Sequence, residues 1–285
     1  MAQSSPRSAA TDALGEFAPP TKKGPWHDAG ALLSWGAVVL AAIAQLIGEG
    51  AAIAAGLVFF LAGLAHGAGD ENGGRMARFS LVFAAAYLLV GLAIAAGFLL
   101  APLAGLSLFL ALSAWHFARS DNRMAAEARF AIAGLATGGS ALLRPDTTRE
   151  VFSLVIGQEV PSAWFLLVTL AGVFGVIAAL AASAKSRRGF GHALVALLSV
   201  ALLHPVLAVG VIFLTAHAIP IQQRQIAEHG APRVWQAVAL PTAVATLGAV
   251  AIALAVWVGW LDLEVAIALA FGLATPHMLT ERLEA

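Results

Sequence analysis

The stretch GAAIAAGLVFFLAGLAH, residues 50–66, contains no Asp, Glu, Lys or Arg and ends in a histidine. An apolar segment of about this length crosses the roughly 30 Å hydrocarbon core of a bilayer as a helix. The whole chain is similar, because 60% of its 285 residues are hydrophobic and only 11% are charged, against about 25% in a typical soluble domain. The sequence therefore predicts an all-α fold, a polytopic bundle of transmembrane helices.

Apolar runs of this kind recur along the chain, and we predict about ten spans. They cover residues 29–48, 50–66, 77–100, 102–118, 127–143, 162–184, 190–204, 205–221, 234–258 and 262–280. Residues 1–28 lack the apolar core of a signal peptide and predict a disordered tail. Residues 29–285 then form a single transmembrane domain.

The basic residues predict the orientation of the bundle, because short cytoplasmic loops carry an excess of Lys and Arg. With the N-terminus in the cytoplasm, all of the 16 Lys and Arg residues except Arg144 and Arg149 fall on the cytoplasmic side. A wrong number of spans would distribute the Lys and Arg residues over both sides of the membrane. We therefore expect both termini in the cytoplasm and a multi-pass protein of the cell inner membrane or plasma membrane.

Composition and missing motifs exclude several functions. Cysteine is absent, which excludes disulfides and thiolate metal ligands. A formal net charge of zero gives no indication of nucleic-acid binding, and no P-loop, Rossmann fingerprint, HExxH or GxSxG motif is present. The three lysines, Lys22, Lys23 and Lys185, lie outside the predicted spans. A retinal photoreceptor, which needs a Schiff-base lysine within a span, is therefore excluded.

Four of the eight histidines lie at the ends of even-numbered spans, which all run toward the cytoplasm. They are His66, His116, His217 and His277. A single histidine there would be an ordinary helix-end residue, but four at one depth are typical of a functional site, because polar residues in membrane segments are costly and face the bundle interior. Neutral imidazole binds iron, zinc and copper well. The pattern predicts a multi-histidine metal site near the cytoplasmic boundary.

Acidic residues follow three of these histidines. Asp70 and Glu71 follow His66, Asp121 follows His116, and Glu281 follows His277. Ligating histidines usually donate their second N–H to a carboxylate or a carbonyl. Asp70, Asp121 and Glu281 are therefore candidates for orienting the histidines, and Glu71 is an alternative direct ligand. Loop charges at the membrane interface are the competing interpretation.

Four short motifs occur in one order along the chain. They are His66-Gly67-Ala68-Gly69-Asp70, Trp115-His116-Phe117, HPVLAVGVIFLTAH at residues 204–217, and Thr275-Pro276-His277-Met278-Leu279. Together they resemble the Brp/Blh family of bacterial and archaeal membrane β-carotene 15,15'-dioxygenases, over most of residues 50–280. The resemblance implies an oxidoreductase that uses histidine-held, non-haem Fe(II) and O₂ to cleave the central double bond of β-carotene into two retinal molecules.

The resemblance also implies iron ligands. His66, His116 and His217 match the family's ligands position by position, and we predict His277 as the fourth because its depth matches the other three. Glu71 stands where relatives often carry histidine, so it is a possible substitute ligand. No catalytic residue beyond the metal site is singled out.

The third motif departs from the family pattern. Relatives often have a His-x-x-x-His pair there, but the second position here is Ile221, which cannot bind a metal. Pro220 sits one residue later than the family's usual proline, and if one residue is inserted, Gln222 takes the place of the missing histidine. A Trp commonly precedes the third-motif histidine, and here it is Ala216. The chain is therefore identified as a divergent member.

The implied substrate is β-carotene or a related carotenoid taken from the membrane lipid, together with O₂. A dry apolar cavity would protect the reactive species. Trp115 and Phe117 flank a predicted ligand and are the candidate substrate residues. No nucleotide or nucleic acid is implied.

Other functions remain open at this point. The missing second histidine favours a protein that keeps the family fold but has lost its activity, or acts on another carotenoid or apolar substrate. A transporter or proton channel would need ionisable residues near mid-membrane or an inverted repeat, and neither is found. A membrane haem protein could use paired histidines, but one mononuclear site explains four at one depth more simply.

Overall fold

The structure is a computed structural model, which describes residues 25–68, 81–119, 121, 123–185 and 187–283. All regular elements in these residues are helical, which confirms the all-α prediction. The elements are α1 (Pro25–Ile47), α2 (Glu49–Ala68), α3 (Leu81–Leu100), α4 (Pro102–Arg119), α5 (Ala126–Gly134), π1 (Leu135–Gly139), α6 (Ser140–Leu143), α7 (Pro145–Ile156), α8 (Ser162–Ala184), α9 (Phe190–Leu202), α10 (Pro205–Ile212), π2 (Phe213–Ala218), α11 (Ile219–His229), α12 (Ala231–Trp257) and α13 (Leu263–Leu283).

Five helical segments among the described residues are long and apolar enough to cross a membrane: Ala29–Ile47, Glu49–Gly67, Ser162–Ala184, Pro205–His229 and Ala231–Trp257. Shorter apolar helices cover Ala84–Leu100, Phe190–Leu202 and Leu263–Met278. Each of the ten predicted spans contains a helix or a continuous helical rod. Whether all ten cross a bilayer, and in which direction, stays a prediction.

The ends of two predicted segments differ from the structure. α1 begins at Pro25, so it includes the last four residues of the predicted tail. The rod formed by α10, π2 and α11 continues to His229, beyond the predicted end at residue 221. It continues because α11 is amphipathic and buries Ile221, Gln225 and Ile226 against the bundle. His217 therefore lies in the middle of its rod.

Helix α7 was not predicted. Its sequence, PDTTREVFSLVI, is too polar to be read as a span, but it forms an amphipathic helix that begins with Pro145 and ends before Gly157 at φ +66°. Arg149 fixes it to the bundle, because the guanidinium lies 4.2 Å above the ring of Phe165 and donates a hydrogen bond to the carbonyl of Val160 at 3.1 Å.

Close backbone contacts between small residues hold the bundle together. A Cβ added to Gly210 of α10 would lie 2.7 Å from the carbonyl oxygen of Gly56 in α2, and one added to Gly272 of α13 would lie 2.4 Å from the carbonyl oxygen of Gly91 in α3. Small residues allow such approach between membrane helices. These contacts join α2 to α10 and α3 to α13, and α2 and α13 each contribute a histidine to the predicted metal site.

Candidate metal centre

The four predicted histidines converge on one point. His66 comes from α2, His116 from α4, His217 from π2 and His277 from α13. One ring nitrogen from each lies within 4.8 Å of the others. The first three side chains are 3%, 4% and 1% exposed, and the fourth is half-buried. Residues separated by up to 211 positions thus form one polar cluster inside an apolar bundle.

The same ring atom, Nε2, faces the centre in each histidine. The Nε2 atoms of His116 and His217 lie 2.9 Å apart. The His66 Nε2 lies 3.1 Å from that of His217 and 3.2 Å from that of His277. A metal ion bound by imidazole at about 2.1 Å holds neighbouring nitrogens about 3.0–3.4 Å apart. These three distances are close to that spacing, and all four nitrogens lie within 4.8 Å of one another, so the four histidines could hold one metal ion.

The protonation of His66 supports this fit. Its Nδ1 lies within hydrogen-bond distance of the Gly63 carbonyl oxygen. Because a carbonyl only accepts, Nδ1 carries the hydrogen and Nε2 keeps its lone pair. The Nε2 atoms of His217 and His277 then both lie beside this one lone pair of His66. A central cation satisfies such a set of nitrogens, and the bond to Gly63 is the usual way in which a ligating histidine is oriented.

Aromatic rings surround the cluster and keep it apolar. The Phe213 ring lies edge-on to His66 at 5.2 Å between centroids, and Phe60 packs behind it at 5.3 Å. The Phe117 ring lies at 4.9 Å from His217, nearly perpendicular to it. A Cβ on Gly63 would come 2.2 Å from the Phe213 ring. Only glycine at this position therefore lets the ring reach the histidines.

Two further positioning contacts were missed from the sequence. Gln225 of α11 is 4% exposed, and its Nε2 donates to the backbone carbonyl of His66 at 3.2 Å. The last four carbonyls of a helix lack partners within it, so Gln225 ties the end of α2 to α11. A Cβ on Gly67 would lie 2.9 Å from the His277 ring, so glycine is required there. Only the amphipathic pattern of residues 219–229 hinted that Gln225 is buried.

Asp121, predicted to orient a histidine, pairs with Arg123. The two guanidinium contacts measure 3.1 and 3.2 Å, and Arg123 also donates to the Pro220 carbonyl at 3.4 Å. Burial raises the pKa of Asp121, but the hydrogen bonds and charge of Arg123 outweigh it, so this pKa lies below its ordinary value. The pair thus links the α4–α5 loop to the helix that follows His217.

The other predicted residues divide as follows. Asp70 and Glu71 lie outside the described residues, and Glu281 is described only by its place in the backbone of α13, so their roles stay predictions. Phe117 touches the cluster. The Trp115 side chain is 38% exposed, with the Arg119 guanidinium 5.9 Å from its ring centroid.

Comparison with known families connects this geometry to a class of enzyme. A family model described as beta-carotene 15,15'-dioxygenase matches residues 57–283, a range that includes all four clustered histidines. The chain belongs to the beta-carotene 15,15'-dioxygenase family. This confirms the resemblance found in the motifs, and it implies a dioxygenase-type oxidoreductase. Comparison with curated proteins and with solved structures gave no match.

The third motif shows how this member of the beta-carotene 15,15'-dioxygenase family departs from the pattern. Ile221, at the expected position of the second histidine, is 1% exposed and part of the packed interior. Both amide atoms of Gln222 are buried and have no hydrogen-bond partner among the described residues. His217 itself lies on the π2 turn, and π-helical turns occur often at functional sites. Gln222 therefore stays a candidate for a substitute ligand.

Proposed function

We propose that this protein is an iron-dependent dioxygenase that cleaves the central 15,15' double bond of β-carotene with O₂ to give two retinal molecules. The observation that carries the proposal is the convergence of four histidine Nε2 atoms in a chain that belongs to this family. Each of these atoms lies 2.9–3.2 Å from the next one in the cluster. Both oxygen atoms of O₂ enter the products, one in each aldehyde, so no further reductant is needed.

The ligands in this proposal are His66, His116, His217 and His277. Iron(II) held by neutral imidazoles supplies a redox-active cation with positions left for oxygen. The protein's part is to hold the four rings, and the Gly63 carbonyl does this for His66 by accepting its Nδ1 hydrogen. Phe117, Phe213 and Phe60 exclude water from the cluster.

Residues outside the ligand set have supporting roles in this proposal. Asp121 acts through Arg123 and the Pro220 carbonyl on the helix of His217, while Asp70 and Glu281 are candidates to orient the other ligands. Glu71 and Gln222 are substitutes for the family's remaining histidine. Trp115 and Phe117 are the candidate substrate contacts.

We further propose that the bundle crosses the cell inner membrane or plasma membrane about ten times, with both termini and the histidine cluster toward the cytoplasm. Residues 29–285 form one domain after a cytoplasmic tail at 1–28. β-Carotene dissolves in the bilayer hydrocarbon, so an enzyme placed there takes its substrate directly from lipid. The bias of 14 of the 16 basic residues to one side supports this orientation.

The test is expression in a host that accumulates β-carotene, with retinal measured by chromatography and iron measured in the purified protein. We expect retinal and bound iron in the wild type, and neither in His66→Ala. His204→Ala is the matched control, because His204 is also a buried histidine, 5% exposed, but it lies 3.7 Å from Glu49 and outside the cluster. This control should keep both retinal and iron.

Persistent β-carotene without retinal, in cells that contain folded protein and sufficient iron, would reject the proposed reaction. Equal iron in His66→Ala and His204→Ala would reject the proposed ligands instead. The two measurements therefore separate the metal site from the chemistry.

A changed substrate is the second candidate function, and buried Ile221 in place of the family's second histidine favours it. The same host expressing other carotenoids tests it. Cleavage products from a different carotenoid, with β-carotene left intact, would establish this alternative.

A further inference from the structure

An apolar cavity of about 230 Å³ lies between α3, α4 and α13. Its lining includes Gly97 and Phe98 of α3, Leu108 and Phe109 of α4, and Phe271 and Thr275 of α13. None of the lining residues that the structure describes is charged. The one hydroxyl among them, on Thr275, already donates to the Phe271 carbonyl at 2.7 Å. The cavity is therefore suited to a ligand without polar groups.

Two helices of the cavity wall, α4 and α13, also contribute histidines to the cluster. Phe109 precedes His116 by seven residues in α4, and Phe271 precedes His277 by six in α13. At 1.5 Å per residue, both phenylalanines lie roughly 10 Å from the cluster along the helix axes. Their rings stack on each other, with centroids 4.2 Å apart and planes 5° from parallel. In α4 the seven-residue step from Phe109 to His116 also keeps both side chains on one face of the helix, because seven residues make almost two full turns.

The other side of the cavity opens to the outer surface of the bundle. Leu108 is 52% exposed, and Gly97 is exposed too. A Cβ added to Gly97 would meet nothing within 4 Å. In a membrane this surface contacts lipid, so an apolar molecule dissolved in the bilayer can enter sideways without crossing water.

We infer that this cavity binds one half of the carotenoid, from the end ring along the polyene, and so directs the central double bond toward the histidine cluster. The inference rests on the proposed function for its substrate. It adds the place where the substrate lies, the lipid-facing opening beside Leu108 and Gly97 through which it enters, and the residues that line the cavity. The stacked Phe109 and Phe271 rings form the wall along which the polyene packs.

Gly97 gives a direct test, because Gly97→Phe fills the cavity from an open position without a backbone clash. Gly248→Phe is the matched control: Gly248 also lies within a long helix, α12, with nothing within 4 Å of an added Cβ, but does not line the cavity. The full-length protein is purified in detergent and treated with a chelator. β-Carotene is added, free carotenoid is removed, and the bound fraction is read from its absorbance.

We expect the wild type and Gly248→Phe to retain β-carotene, and Gly97→Phe to bind it about tenfold less, because a filled apolar pocket no longer buries the ligand. In cells, retinal should fall in the same proportion for Gly97→Phe. If this variant does not fold, Ala104→Phe fills the same cavity from α4 and replaces it.

Equal binding by the Gly97 and Gly248 variants would overturn the inference, as would a wild type that retains no β-carotene. A wild type that binds β-carotene through Gly97 but produces no retinal would leave the cavity assigned and reject the proposed reaction. Binding is measured without iron, so failure of the metal site does not affect the result.

Discussion

Two helical rods of this protein contain the same local deviation but use it differently. π1, Leu135–Gly139, interrupts the rod of α5 and α6, and π2, Phe213–Ala218, interrupts the rod of α10 and α11. The third residue of each turn is a threonine whose hydroxyl donates to the carbonyl four residues earlier. Thr137 bonds to Ala133 at 2.8 Å, and Thr215 bonds to Val211 at 2.7 Å.

The two turns differ in what they present to the bundle. π1 presents backbone: a Cβ on Gly138 would lie 2.2 Å from the Val168 carbonyl oxygen and 2.4 Å from the Gly172 nitrogen of α8. π2 presents His217, which is 1% exposed and faces the other three histidines. A π-helical turn is therefore a structural device in one rod and part of the candidate metal centre in the other. Its residues, not its backbone, decide which.

The largest effect should follow from removing the side chain that distinguishes π2. We expect His217→Ala to lower iron affinity more than about 100-fold, since changing residues that only orient ligands already costs 10–100-fold. Retinal production should be lost with it. Iron per chain after gel filtration, measured beside His204→Ala, checks this. Unchanged iron in the His217 variant would mean that π2 is no more a metal site than π1.

Breaking π1 should instead damage the fold. Gly138→Leu requires α8 to move away, and overpacking of this kind costs about 3 kcal/mol of stability. Thermal unfolding in detergent should show a clear loss relative to Gly248→Leu, where the added side chain meets open space. The protein that still folds should bind as much iron as the wild type. A selective loss of iron, with stability unchanged, would contradict the structural role assigned to π1.

A third change tests how the end of α2 is held next to π2. Gln225→Met removes the donor to the His66 carbonyl but keeps the length of the side chain. We expect about tenfold weaker iron binding, the lower end of the range for groups that orient ligands. Gln223→Met is the control on the same helix, because the Gln223 side chain packs beside Gly30 of α1. Equal iron affinity in the two variants would remove Gln225 from the positioning role.

The features predicted from the sequence are those that hydropathy and charge encode locally. Long apolar runs predicted the helices, and histidines at one end of alternate spans predicted the cluster. The prediction of convergence succeeded although His217 lies in the middle of its rod. It succeeded because the depth of a residue, in helices predicted to run in the same direction, depends on where each helix begins as well as on where it ends.

The features that were not predicted depend on contacts between distant residues. The bond from Gln225 to the His66 carbonyl joins residues 159 positions apart. Helix α7 is too short and polar for a hydropathy pattern, and is fixed by Arg149 on Phe165. The π turns have no sequence signal of their own, since the strings LATGG and FLTAHA share only a threonine as their third residue.

That shared threonine gives the most sensitive test of the comparison. Thr137→Val and Thr215→Val keep the shape of the side chain but each removes a hydrogen bond to a buried carbonyl. Hydrogen bonds inside membrane bundles contribute about 0.6 kcal/mol on average. Both variants should therefore unfold at a slightly lower temperature than the wild type, and by almost the same amount.

Only Thr215→Val should weaken iron binding, by a few-fold at most. His217 lies two residues after Thr215, so relaxation of π2 shifts this ligand, while relaxation of π1 shifts no histidine. The measurement is iron affinity set beside thermal stability for the two variants. Equal iron affinities would show that the threonine in π2 holds the backbone without holding the ligand, and a loss in Thr137→Val alone would reverse the roles assigned to the two turns.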